Sequence, residues 1–230
     1  MASFNSFLPN LLKVEGGFQN HVLDRGNYNS GNELIGTNYG ISAKALEAHI
    51  GRAPTVQDMK TLSVQTAGDI YRRDYWNKIN ASQINSQAVA NILADHAVNA
   101  GPKTAGKMVQ RILNAQFNSS LVVDGIVGRK TLAAINAQDP ETLFNSIKQE
   151  RQHYYNSLGN LTFLSGWLKR LNSFLFTSKP KTDTYPRTIL PETNKPSNKR
   201  KAFIIGGAVV LSVGLILLFS KKAATTENKF

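Results

Sequence analysis

The chain has 230 residues, 41% of them hydrophobic, with 27 Lys and Arg against 15 Asp and Glu, a formal net charge of +12 and no cysteine. Such a length allows one medium-sized domain with appendages, and the lack of cysteine excludes a disulfide framework and suits a reducing compartment. The basic surplus divides into +5 over residues 1–172, +5 over 173–201 and +2 over 202–230, and no helix-turn-helix, zinc-finger or RNA-recognition signature accompanies it, so nucleic acid is not an expected partner.

Phe4, Phe7, Leu8, Leu11 and Leu12 fall at helical spacing and predict one apolar stripe. Pro9 belongs in a first turn, which puts the helix start near Phe7 with Ser6 as N-cap, and Gly16-Gly17 at its end. Glu15 continues the stripe beyond Leu11 and Leu12. A carboxyl held against apolar surface is harder to ionise, the property a proton donor needs at neutral pH. Glu15-Gly16-Gly17 alone also fits a capped surface position; the residues that follow tip the balance.

Asp24-Arg25-Gly26 comes nine residues later, and the Asn- and Gly-rich stretch from Asn27 to Gly36 leads to Thr37-Asn38-Tyr39-Gly40-Ile41. The composition predicts an irregular loop or a small hairpin between about Gln19 and Ser42. Such a loop can bring Asp24 opposite Glu15. Cleavage of a glycosidic bond commonly uses two carboxyl groups, one protonated to release the leaving oxygen and one ionised to activate water or attack the sugar.

Glu-Gly-Gly-Phe, Asp-x-Gly and Thr-Asn-Tyr-Gly-Ile together resemble glycoside hydrolase family 108, the bacterial and phage N-acetylmuramidases, and the Glu15 to Asp24 interval is similar to that of phage-type lysozymes. The resemblance implies a mainly α, lysozyme-like fold with a small β-hairpin. It also implies Glu15 as general acid, Asp24 as the carboxylate that activates water, and Thr37 as its helper. The stretch between Asp24 and Thr37 is longer here than in most relatives, which leaves Ser30 as a competitor for the last role. Tyr28, Asn38 and Tyr39, beside the acid, and Trp76 are the expected sugar contacts.

Ile70 to Trp76 and Asp95 to Pro102 also resemble family segments, and Val123 to Leu132 resembles the turn of a peptidoglycan-binding helical module. Residues 1–172 are therefore expected as one domain, with a catalytic half over 1–90 and a peptidoglycan-binding-like half over 91–172. Asp95 and His96 lie in a helical pattern with Ile92, Leu93 and Val98, where polar groups are usually satisfied core residues. Asp124-Gly125 reads as a tight turn into a helix begun near Arg129. No His/Cys cluster or EF-hand loop is present, so neither a metal nor a cofactor is expected.

Residues 173–201 hold Pro180, Pro186, Pro191 and Pro196 among Lys, Thr, Ser and Asn, the composition of a linker reaching roughly 80–90 Å when extended. Ala202 to Ser220 carries no charged residue and would span about 28 Å as a helix. It predicts a single transmembrane helix between Lys199-Arg200-Lys201 and Lys221-Lys222, with 221–230 as a short basic tail. No secretory signal precedes the catalytic region, and the flanking lysines slightly favour an N-inside orientation. A wall-degrading enzyme of a membrane-containing phage, on the internal virion membrane among capsid proteins, would reconcile that orientation with a wall substrate; a bacterial inner-membrane enzyme is the other location.

Three functions fit the sequence. The first is a muramidase that hydrolyses the β-1,4 bond between N-acetylmuramic acid and N-acetylglucosamine, with inversion if Asp24 activates water. A lytic transglycosylase would need Glu15 but little from Asp24, and a non-catalytic wall-binding or virion membrane protein would need neither.

Overall fold

The computed structural model describes residues 1–13 and 15–178, and these are mainly helical. In chain order they form α1 (Phe4–Leu12), a 3-10 turn (Arg25–Asn27), α2 (Ala43–Ile50), α3 (Val56–Lys60) and α4 (Val64–Tyr71). A π turn (Arg72–Trp76) and two short 3-10 turns (Asn77–Ile79, Ala81–Gln83) lead to α5 (Gln87–Ala100) and α6 (Pro102–Phe117). The last helices are α7 (Arg129–Asn136), α8 (Pro140–Ser157) and α9 (Leu161–Asn172).

The core is organised around α5, which packs against α1, α6, α8 and the π turn. Its sequence explains that position: Ala88, Ala90, Ala94 and Ala97 let neighbours approach closely, while Val89, Ile92 and Leu93 fill the space between them, all buried. Ser86 caps its N-terminus by accepting from the Val89 N–H, and Gly101-Pro102 ends it and opens α6. Both halves of the sequence share one apolar core, from Phe7 and Leu11 through Ile92 to Leu143 and Ile147.

Three expectations change. The small β-hairpin is absent: among the described residues, isolated antiparallel bridges at Gln19 with Thr37, Tyr28 with Leu34 and Asn38 with Ile41 are all the pairing there is. Asn32, Gly36, Tyr39 and Gly40 adopt positive φ, and each breaks the extended run that a ladder needs. The loop is held by side-chain amides instead.

The first helix starts at Phe4 with Ser3 at its N-cap, so Pro9 lies inside it, and it ends at Leu12 rather than at the glycines. The turn continues through one further bond, from the Glu15 N–H to the Leu11 carbonyl (3.2 Å). Third, residues assigned by composition to the start of the linker belong to the body: Phe174 and Phe176 pack on the core, and the Lys148 ammonium donates to the Phe174 carbonyl (2.8 Å).

Among the described residues no helix is long and apolar enough to cross a membrane. The expected transmembrane helix over 202–220, the rest of the linker and the basic tail lie outside the described residues.

Candidate active site

Glu15 stands one turn beyond Leu11 on the buried side of α1, as the apolar stripe requires, and its side chain has no exposed surface. Its Oε1 accepts from Nη1 of Arg170 on α9 (2.9 Å). Its Oε2 has no hydrogen-bond partner among the described residues. Burial pushes the carboxyl above the ordinary carboxylate range, Arg170 opposes that rise, and Asp95 adds to it; desolvation wins. With Oε1 occupied as an acceptor, a proton taken up by this carboxyl sits on Oε2.

Oε2 faces the Thr37 to Ile41 turn, and the contact explains the glycine in it. Gly40 has φ +70°, and a Cβ there would lie 2.4 Å from Glu15 Oε2 and 2.5 Å from the Tyr71 hydroxyl. Only a residue without a side chain lets the acid sit this close to the backbone. The Tyr71 hydroxyl donates to the Tyr39 carbonyl (2.9 Å), which fixes the turn from the α4 side.

Asp24 and Thr37 meet through Gln19, whose amide Nε2 donates to Asp24 Oδ2 (2.9 Å), Thr37 Oγ1 (2.7 Å) and Asn27 Oδ1 (3.1 Å). Paired backbone bonds hold the same residues in register, Gln19 N–H to Thr37 carbonyl at 2.9 Å and the reverse at 2.8 Å. Asp24 also accepts from the Gly26 N–H (2.8 Å), capping the 3-10 turn, and it is 6% exposed. The segment 37–41 therefore touches the Asp24 cluster at one end and Glu15 at the other.

The remaining expectations divide. Ser30 donates to Glu47 of α2, and its N–H does so as well (2.8 Å), so it is engaged away from Asp24. Tyr28 is half-buried and donates to the Val22 carbonyl (2.9 Å), and Tyr39 is half-buried beside Gly40; both stay close to the loop. Asn38 is a buried clamp whose amide donates to the Met59 carbonyl of α3 (2.9 Å). Trp76 does not meet the expectation of a sugar-stacking ring: it is 1% exposed, packs on Phe4 and Phe7, and donates to Ser82 (2.7 Å). An amphipathic pattern that also buries Phe4 and Phe7 draws the indole into the core.

Sequence reasoning missed the groups behind Glu15. Arg170 sends Nε and Nη2 to Asp95 Oδ1 (3.0 and 2.6 Å) while Nη1 holds Glu15. The other Asp95 oxygen accepts from Arg151 of α8 (2.6 Å) and from Asn99 (3.1 Å). Arg151 is fully buried and also donates to the Ile92 carbonyl (2.9 Å) and the Tyr155 hydroxyl (2.6 Å), while its Nε has no partner among the described residues. Burial alone would raise Asp95, yet Arg170 and Arg151 hold it below the usual carboxylate range. Asp95 was expected as a satisfied core residue; which groups satisfy it was not readable, because the arginines lie 56 and 75 residues away.

At the second glycine-rich turn, Gln110 gathers Asp124, the Ile126 carbonyl and the Gly125 N–H. A Cβ on Gly106 would collide with the Gly125 carbonyl at 2.1 Å, so this turn is backbone packed on backbone against α6.

Residues 8–101 match the family described as Glycosyl hydrolase 108, and residues 104–172 match that described as Predicted Peptidoglycan domain. The chain is similar to the solved structure of SagA from Brucella abortus, at 29% identity and a TM-score of 0.58, covering 76% of this chain and 97% of that one. No curated protein matches.

Proposed function

We propose that this glycoside hydrolase acting on peptidoglycan, whose residues 8–101 match the glycosyl hydrolase 108 family, hydrolyses the β-1,4 bond between N-acetylmuramic acid and N-acetylglucosamine. The observation that carries the reading is the Glu15 carboxyl: enclosed, held at one oxygen by Arg170, and shifted toward its protonated form at the other. A donor of that kind protonates the leaving glycosidic oxygen.

Asp24, seated with Thr37 on the Gln19 amide, is the carboxylate that activates the attacking water, and Thr37 places a hydroxyl beside it. Donation needs the acid within hydrogen-bond reach of the glycosidic oxygen. Because the Glu15 side chain has no exposed surface, glycan binding must displace part of its cover. Tyr28 and Tyr39 are the aromatic surfaces offered to the sugars.

The test is digestion of purified peptidoglycan by the chain, wild type against Glu15→Gln and Asp24→Asn, with the product ends identified by mass spectrometry. Reducing muramic acid ends, lost in both variants, are expected. Anhydro ends that persist in Asp24→Asn would make the enzyme a lytic transglycosylase, and an intact glycan that still binds would make it a wall-binding protein.

The setting of this activity rests on sequence. The uncharged run 202–220 between lysine-rich flanks supports association with a lipid membrane, the virion internal membrane of a phage or a bacterial inner membrane, where the enzyme would serve entry or lysis beside capsid proteins. Fractionation of phage particles, or flotation of the chain with vesicles before and after removal of residues 202–230, separates these settings from a freely diffusing enzyme.

A further inference from the structure

We infer that Arg170 is a positioning residue for proton donation by Glu15, and that Asp95 sets how much of its charge reaches the acid. The inference rests on Glu15 being the proton donor. It makes the region 104–172 part of the catalytic machinery of the region 8–101.

The geometry is that of one guanidinium shared unequally. Two of its nitrogens close on Asp95 Oδ1, and the third alone reaches Glu15 Oε1. Asp95 cannot follow Glu15 if the acid moves, because Arg151 and Asn99 hold its other oxygen. Arg170 is therefore pinned from behind through α5 and α8, and Glu15 is pinned by Arg170. That arrangement fixes which carboxyl oxygen is an acceptor and leaves the other free to carry the proton.

The charged and titratable groups that face Glu15 come from several elements: Arg170 of α9, Asp95 of α5, Tyr71 of α4 and Tyr75 of the π turn. Arg151 of α8 stands behind Asp95. Burial pushes both tyrosines upward, Tyr75 to about 12 and Tyr71 well above its ordinary value, so neither ionises in the working range. Arg170 and Asp95 are left as the two charges that tune the acid, and they act with opposite sign. Removing the cation favours the protonated carboxyl; removing the anion favours the ionised one.

The experiment is the pH dependence of kcat/KM for peptidoglycan digestion by the full chain, whose basic limb reports ionisation of the acid in the free enzyme. Arg170→Gln should move that limb upward by about one pH unit and lower the plateau, since an adjacent opposite charge shifts a carboxyl by about 1–3 units. Asp95→Asn should move it downward. Arg170→Lys, which keeps the charge but loses the fork, should leave the limb in place and lower only the plateau. Titration of the ¹³C-labelled Glu15 carboxyl reads the same shifts without catalysis.

An unmoved limb in Arg170→Gln, or movement in the same direction in Arg170→Gln and Asp95→Asn, overturns the inference and leaves the cluster as packing. Where either of those variants does not fold, Arg170→Lys decides: a limb displaced like that of an uncharged residue counts against it. Glu15→Gln run alongside separates the two levels, because retained activity there removes Glu15 as the acid, whereas a lost activity with unmoved limbs removes only the role of Arg170.

Discussion

Gly40→Ala is the sharpest test of the contact between the Thr37 to Ile41 turn and the acid. The new methyl would lie 2.4 Å from Glu15 Oε2 and 2.5 Å from the Tyr71 hydroxyl, well inside van der Waals contact. Neither neighbour is a loose end: Arg170 holds Glu15 and the Tyr39 carbonyl holds Tyr71. An alanine at φ +70° costs roughly 1–2 kcal/mol in backbone strain, and forcing a methyl into a packed site costs about 1–3 kcal/mol more. The sum is about 2–5 kcal/mol, which for a body of this size lowers Tm by roughly 4–20 °C. Relief comes by pushing the carboxyl off Arg170, and a displacement of about 1 Å in a catalytic group can cost 10²-fold. Thermal unfolding by circular dichroism and clearing of a peptidoglycan suspension, normalised to folded protein, measure the two effects. Wild-type Tm together with wild-type activity would refute the geometry of the acid and with it the reason for a glycine at this position.

Gln19→Ala removes the amide that Asp24, Asn27 and Thr37 share, together with the oxygen that accepts from the His21 N–H and the Asn27 amide; it should destabilise by about 1–3 kcal/mol and reduce hydrolysis roughly 10–100-fold, the latter read at a temperature where the variant is fully folded. Trp76→Ala should cost about 3–5 kcal/mol in denaturant unfolding while KM stays near the wild-type value, and a large rise in KM would return Trp76 to the glycan-binding surface. His96 is fully buried among Tyr154 and Tyr155, and burial, reinforced by Arg151, holds its pKa well below the ordinary 6.5. The unfolded chain thus takes up a proton below that value that the folded chain refuses, so the stability His96 contributes is complete above about pH 6.5 and declines by up to about 1.4 kcal/mol per unit as pH falls. Glu15, shifted upward, tilts the opposite way from 4.5. Comparing His96→Phe with wild type isolates the histidine: unfolding free energies measured between about pH 4 and 7 should lose that acid-side slope, and parallel curves would count against it.

The reach of the sequence differed with the kind of interaction. Glu15 was legible because an apolar stripe at helical spacing carries a residue to a buried position whatever else the chain does. Asp24 and Thr37 were legible from spacing and resemblance, but the group that joins them, Gln19, was not, since a glutamine in a loop has no periodicity to betray it. The hairpin failed for a local reason: Asn32, Gly36 and Tyr39 take positive φ, and two of these are residues for which composition alone does not separate a ladder from a stapled loop. Trp76 failed because a period of 3.6 says which face a ring occupies and not whether that face meets solvent or Phe4 and Phe7.

By itself the sequence determined a mainly helical body, an acid on its apolar side and a charge-free run far beyond it, because burial patterns and chain composition are properties of neighbours along the chain. Only the tertiary structure decided that Arg170 and Asp95 stand behind Glu15 and that Gly40 leaves room for it. Those contacts join residues tens of positions apart, and a guanidinium 155 residues from its carboxylate is chosen by the packing of α9 against α8 and α5, which no local pattern encodes.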